Sequence, residues 1–156
     1  MINVNKLRRD VRAKHYKPLC MLIVLDYLDQ QKVFSPVIPG KQIINKFEFI
    51  MNKLGYRNEH NKGFMPFWHI TGDDIWNCYS KNHHLVSRNV LQNQKKVPKT
   101  KKQLLRHINY ALINQTKIDD LINQTQRNKF RKKLLKLIKN DQDKISKDVF
   151  NYFKKK

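Results

Sequence analysis

Lys17-Pro18-Leu19-Cys20-Met21-Leu22-Ile23-Val24-Leu25-Asp26-Tyr27-Leu28 places a proline in a first helical turn and then apolar residues on nearly every side of the helix. A helix that is apolar all round has to be covered all round, so this segment, ending near Asp29-Gln30, predicts the central helix of a core. The run from Leu19 to Leu25 is far shorter than the roughly 20 residues that cross a bilayer, and it does not open the chain. Neither a transmembrane helix nor a signal peptide is expected.

Outward from that helix, Phe34-Ser35-Pro36-Val37-Ile38-Pro39-Gly40 reads as a loop because of its two prolines and its glycine. Ile43, Ile44, Phe47, Ile50, Met51 and Leu54 then recur at helical spacing, and Gly55 stands where a helix closes. Phe64 to Ile70 and Asp74 to Tyr79 are aromatic and β-branched runs separated by Thr71-Gly72-Asp73, which predicts a β-hairpin, with Pro66 on an edge or a bulge. Further on, Thr100 with Gln103 and Thr116 with Asp119 form capping-box patterns for two short helices. Arg127 to Lys139 and Ser146 to Phe153 predict two more. The expected fold is therefore mainly helical α+β, with helices around a core and one hairpin at about residues 64–79.

Charge narrows the function. The 156 residues carry 33 Lys+Arg against 12 Asp+Glu, a formal net charge of +21, while a 40% hydrophobic and 10% aromatic content is enough for a folded core. Such a charge repels itself unless a polyanion neutralises it, which makes nucleic acid the first expected partner. The excess is uneven: residues 1–80 hold 12 basic and 7 acidic side chains, residues 81–156 hold 21 and 5. One domain is expected over 1–156, comprising a basic N-terminal segment (1–15), core helices and hairpin (16–80), an irregular connection (81–99) and basic C-terminal helices (100–156).

Several chemistries find no support in the pattern. Cys20 and Cys78 are distant and lack C-x-x-C spacing, which fits a reducing, cytoplasmic setting and two small core residues. With four glycines there is no phosphate-binding loop. His83-His84 has no acidic neighbour in sequence, and Asp73-Asp74 reads as a turn. No catalytic residue, metal or cofactor is assigned.

The most informative constellation combines Tyr16-Lys17-Pro18-Leu19-Cys20 with Pro66-Phe67-Trp68-His69-Ile70 and Asp73-Asp74-Ile75-Trp76. It resembles the N-terminal DNA-reading domain of McrA-like, modification-dependent HNH restriction endonucleases, a group that includes sulfur-binding domains for phosphorothioated DNA. There a [His/Tyr]-[Lys/Arg]-Pro-Leu-Leu helix start precedes a Pro-Phe-[Trp/Phe]-x-Leu strand and an Asp-Gly-x-Trp strand. Ile118-Asp119-Asp120-Leu121-Ile122 leading into Arg127 to Leu137 is similar too, so the likeness spans about residues 10–153. It departs at Asp74, where the family has glycine, and at Met65, where sulfur readers commonly have an aromatic residue. No HNH part follows in these residues, so the resemblance implies a reader whose cutting is left to a nuclease domain or subunit.

What the resemblance implies can be put physically. A phosphorothioate keeps the anion but makes one side larger, softer and a poorer hydrogen-bond acceptor, so a reader should offer an apolar cup beside basic groups. Met65 and the Pro66 ring would form the cup, Tyr16 and Lys17 would lie against the DNA, and Arg88 would close the pocket. Phosphate contacts are expected from Arg8, Arg9, Arg12 and Lys14, from Lys81, His84, Lys95 and Lys96, and from Lys132 on the cationic face formed with Lys129, Lys133 and Lys136. His69 is a backbone or base contact.

Three other readings stay open. A reader of methylated or hydroxymethylated cytosine would use Trp68 and Tyr79 as stacking surfaces. A basic protein with non-specific nucleic-acid affinity, for DNA or RNA, needs only the charge. A small metal-dependent nuclease would draw on His83, His84 and Asp73 or Asp74.

Overall fold

The computed structural model describes residues 2–8, 16–87, 98–141 and 143–154, apart from the side chains of Arg8 and His60. The first α-helix, α1 (Tyr16–Asp29), is the predicted central one: Pro18 to Leu25 and Leu28 are all buried. It packs against α2 (Gly40–Lys53), α3 (Phe64–His69) and α5 (Gln124–Asn140), with a 3₁₀ turn at Val4–Arg8, which buries Leu7, on another side. Between α3 and α5 comes the short α4 (Lys101–His107), and α6 (Lys144–Lys154) ends the described chain.

The local chemistry of the helix ends explains where they stop. In α2 the buried face is Ile43, Ile44, Phe47, Ile50 and Met51. Gly55 follows with φ +90°; its N–H donates to Asn52 O and that of Tyr56 to Met51 O, the paired bonds of a Schellman stop. Thr100 caps α4 by accepting from Gln103 N at 3.2 Å, but the Gln103 side chain accepts from Lys99 N, one residue before the position a reciprocal capping box uses. Asn123 caps α5, which starts three residues earlier than the apolar pattern suggests, and Asp143 caps α6 by accepting from Ser146 N and Oγ. The segment Gln115–Asp120, expected as a helix from Thr116, is a 3₁₀ turn.

A four-stranded antiparallel sheet completes the α+β fold, with β1 (Val37–Pro39), β2 (Trp76–Tyr79), β3 (Leu85–Val86) and β4 (Tyr110–Ile113) in the order β1-β4-β2-β3. Its inner face carries Ile38, Ala111, Ile113, Trp76 and Cys78 into the core. The register aligns Pro39 with Tyr110, Tyr110 with Tyr79, and Tyr79 with Leu85.

The predicted hairpin needs correction. Phe64 to His69 is a helix, and the hairpin is β2–β3, closed by the turn through Ser80 and His84. Phe64, Phe67 and Trp68 are buried at i, i+3 and i+4, which a strand would send to opposite faces. Pro66 is tolerated because the first turn of a helix has no internal acceptor for its missing N–H. The Trp76 indole then donates to Phe67 O at 3.1 Å, pinning α3 to the sheet. Both rings are fully buried, and truncating Phe67 to alanine should cost about 3 to 5 kcal/mol. Val37–Pro39, expected in a loop, is an edge strand, where proline is admissible.

Candidate nucleic-acid interface

The start of α1 brings together the motif residues that sequence spacing singles out. Tyr16 is buried, donates its hydroxyl to Glu59 and meets Phe47 edge-on at 5.7 Å. Lys17 forms a 2.7 Å ion pair with Asp73, in the 3₁₀ turn Ile70–Asp73 that follows α3. Pro66 is buried inside α3, whereas Met65 and His69 are half-buried. An apolar cup walled by the Pro66 ring is thus not at the surface; of the two residues, Met65 is the one that reaches it. Trp68 is buried as well and offers no open stacking face.

Asp74 keeps the turn in spite of its side chain. Its φ of 59° is left-handed, the region that glycine occupies without strain and that aspartate tolerates better than most residues. The Asn114 amide donates to both the Asp74 carbonyl and its carboxylate at 2.9 Å, and Asn77 in turn donates to Asn114.

Helix α5 sorts its cations. Arg127 is buried, giving Nε to Asp29 at 2.7 Å and Nη1 to the carbonyls of Leu121 and Ile122. Arg131 pairs with Asp29 and Asp26. Both therefore fasten α5 to the end of α1, a role their place in a basic run conceals. Lys129, Lys132, Lys133 and Lys136 are exposed on the opposite face, spread along about 10 Å of helix.

Lys81 and His84 are exposed in the β2–β3 turn. Arg9, Arg12, Lys14, Arg88, Lys95 and Lys96 lie outside the described residues, as does the Arg8 side chain. Sequence reasoning missed Tyr110, which stacks on Tyr79 with rings parallel to within 6° and 5.4 Å apart. Only the strand register brings these two together, and no local pattern announces it.

The possible reactive groups are placed apart. Asp73 and Asp74 precede β2 and His83 and His84 follow it, so the strand's length separates them; among the described residues no group of three or more His, Cys, Asp or Glu is placed to hold a metal. Burial pushes the Cys78 thiol up to about 12 and that of Cys20 higher still, Cys78 adding to the effect, so neither is a ready nucleophile. No helix among the described residues is long and apolar enough to cross a membrane. The chain matches no protein-family model, no curated protein and no solved structure.

Proposed function

We propose that this chain binds double-stranded DNA as a reader, without a catalytic step of its own, and that the mark it reads is a backbone phosphorothioate in a restriction context. The observation that carries the DNA part is the division of charge on α5, where arginines turn inward to carboxylates and lysines 129, 132, 133 and 136 face solvent. A cationic face of this length on a chain of net charge +21 suits a run of phosphates. Support for the sulfur part is the motif resemblance, together with half-buried Met65 in α3 and the Lys17–Asp73 ion pair to the turn that follows that helix. There the polarisable Met65 thioether would take the place of the Pro66 wall against the soft sulfur, and Lys17 would be the nearby cation.

The test is competition binding at fixed, near-physiological salt with one duplex prepared plain, phosphorothioated and cytosine-methylated. The expected result is preference for the sulfur duplex, lost in Met65→Ala and kept in Lys132→Ala, which weakens all three alike. Preference for methylcytosine would replace the mark. Equal binding to all three would leave a basic DNA-binding module with no reader function.

A further inference from the structure

We infer that the outer face of the sheet binds unpaired DNA bases by stacking, at the row formed by Pro39, Tyr110, Tyr79 and Leu85. This goes beyond the duplex reading and centres on the tyrosine row, sharing only Lys81 and His84 with it. The row crosses all four strands in register, on the side opposite buried Ile38, Ala111 and Cys78. Leu85 is 57% exposed and Val37, on the same face, 40% exposed. A cross-strand tyrosine pair stabilises any sheet. What sets this one apart is that its row, half-buried at Pro39 and at both tyrosines, ends in exposed Leu85, while the segments at that end carry exposed cations.

The antiparallel order places the rim. Pro39 and Tyr79 end their strands, and Tyr110 and Leu85 begin theirs, so the row lies at one end of the sheet. The segments joining that end carry Lys41, Lys81 and Arg106, all exposed, with His84 between Lys81 and Leu85. At the other end of β2 stand Asp73 and Asp74. A strand whose bases lie on the tyrosines would therefore have cations for its phosphates on one side of the row. The end is held rigidly: Asn109 N donates to Tyr79 O at 2.8 Å, Gly40 N to Asn109 O at 3.1 Å, and Ser80 N to His84 O at 2.8 Å.

His83 adds a contact to the tyrosine pair. It closes the β2–β3 turn with φ 67°, where a glycine or asparagine would be less strained, and its Nδ1 lies 3.0 Å from the Tyr110 hydroxyl. The two rings lie 5.8 Å apart, tilted at 53°, and the contact orients Tyr110 beside Tyr79, so that a planar base laid on the Tyr79 ring would extend a stack already formed. Stacking of this kind is indifferent to base identity, because every base has a π-face.

Anisotropy titrations of the full chain at fixed salt test this, using labelled oligo-dT, an abasic strand with the same number of phosphates, oligo-U and a hairpin duplex. Oligo-dT should bind at least about tenfold more tightly than the abasic strand. Tyr110→Ala should bring it to the abasic level with duplex binding unchanged, and Tyr110→Phe should retain it. Equal affinity of the unaltered protein for oligo-dT and the abasic strand overturns the inference, whether or not Tyr110→Ala folds. Preference for oligo-U over oligo-dT by a similar factor overturns the assignment to DNA. Duplex binding without base dependence on single strands removes this inference alone; no DNA binding at all removes the duplex reading with it.

Discussion

The Lys17 ammonium and the Asp73 carboxylate meet at 2.7 Å, joining the first turn of α1 to the 3₁₀ turn after α3. With side-chain exposures of 18% and 7%, the pair is only partly in solvent. It holds together two segments of the motif and also occupies a cation that the proposed reading assigns to DNA.

Asp73→Ala should therefore separate the two roles. Stability falls by roughly 1 to 3 kcal/mol, read from urea midpoints, because a partly buried charged partner is lost. DNA affinity at low salt rises, because Lys17 is released and a negative charge removed. Lys17→Ala should lower both.

Arg127→Ala and Lys132→Ala should diverge in the same two assays. Removing Arg127 leaves the Leu121 and Ile122 carbonyls without this donor and Asp29 with Arg131 alone, at a cost of about 1 to 3 kcal/mol. Lys132→Ala should change stability by less than about 0.5 kcal/mol yet reduce the salt slope of DNA binding by about 1.

Two glycines should fail for different reasons. A Cβ on Gly63 would sit 2.8 Å from Phe47 Cβ and Cγ, so Gly63→Ala should cost about 1 to 3 kcal/mol by overpacking. At Gly55 a Cβ meets nothing, but φ is +90°, so Gly55→Ala should cost about 1 kcal/mol through the backbone alone. Thermal melts of both, beside Gly55→Asn, check the distinction: asparagine should recover part of the loss at 55.

Alkaline pH should loosen α6. Burial, and then the hydrogen bond to Asp148, push the Tyr56 phenol from 10.0 up to about 12. The folded value lies above the unfolded one, so the stability from this contact is full below pH 10 and disappears as pH rises to about 12. Tyr56→Phe should be the less stable protein at pH 8, and the difference should shrink between pH 10 and 12 in denaturant titrations.

The helices were legible where burial has helical period, as with Ile43 to Leu54, or fills every face, as with Leu19 to Leu25. The sheet was not, because its strands are two to four residues long and are specified by partners far away: Ala111 lies opposite both Ile38 and Cys78. Phe64 to Ile70 misled because aromatic residues favour strands, although the spacing of Phe64, Phe67 and Trp68 already carried the helical signal. At the candidate site, the motif included both Lys17 and Asp73 but not their contact, and could not tell that Pro66 and Tyr16 face inward. Whether a side chain in a motif is presented or packed depends on what folds over it.

Asp29 and Arg127 are 98 positions apart, and α5 is one of the walls around α1. During synthesis, the chain between them takes about 5 to 20 s to emerge at ordinary translation rates. Throughout that interval a helix apolar on every side waits for its last covering face. The nascent protein thus exposes an apolar helix early and completes its cover late.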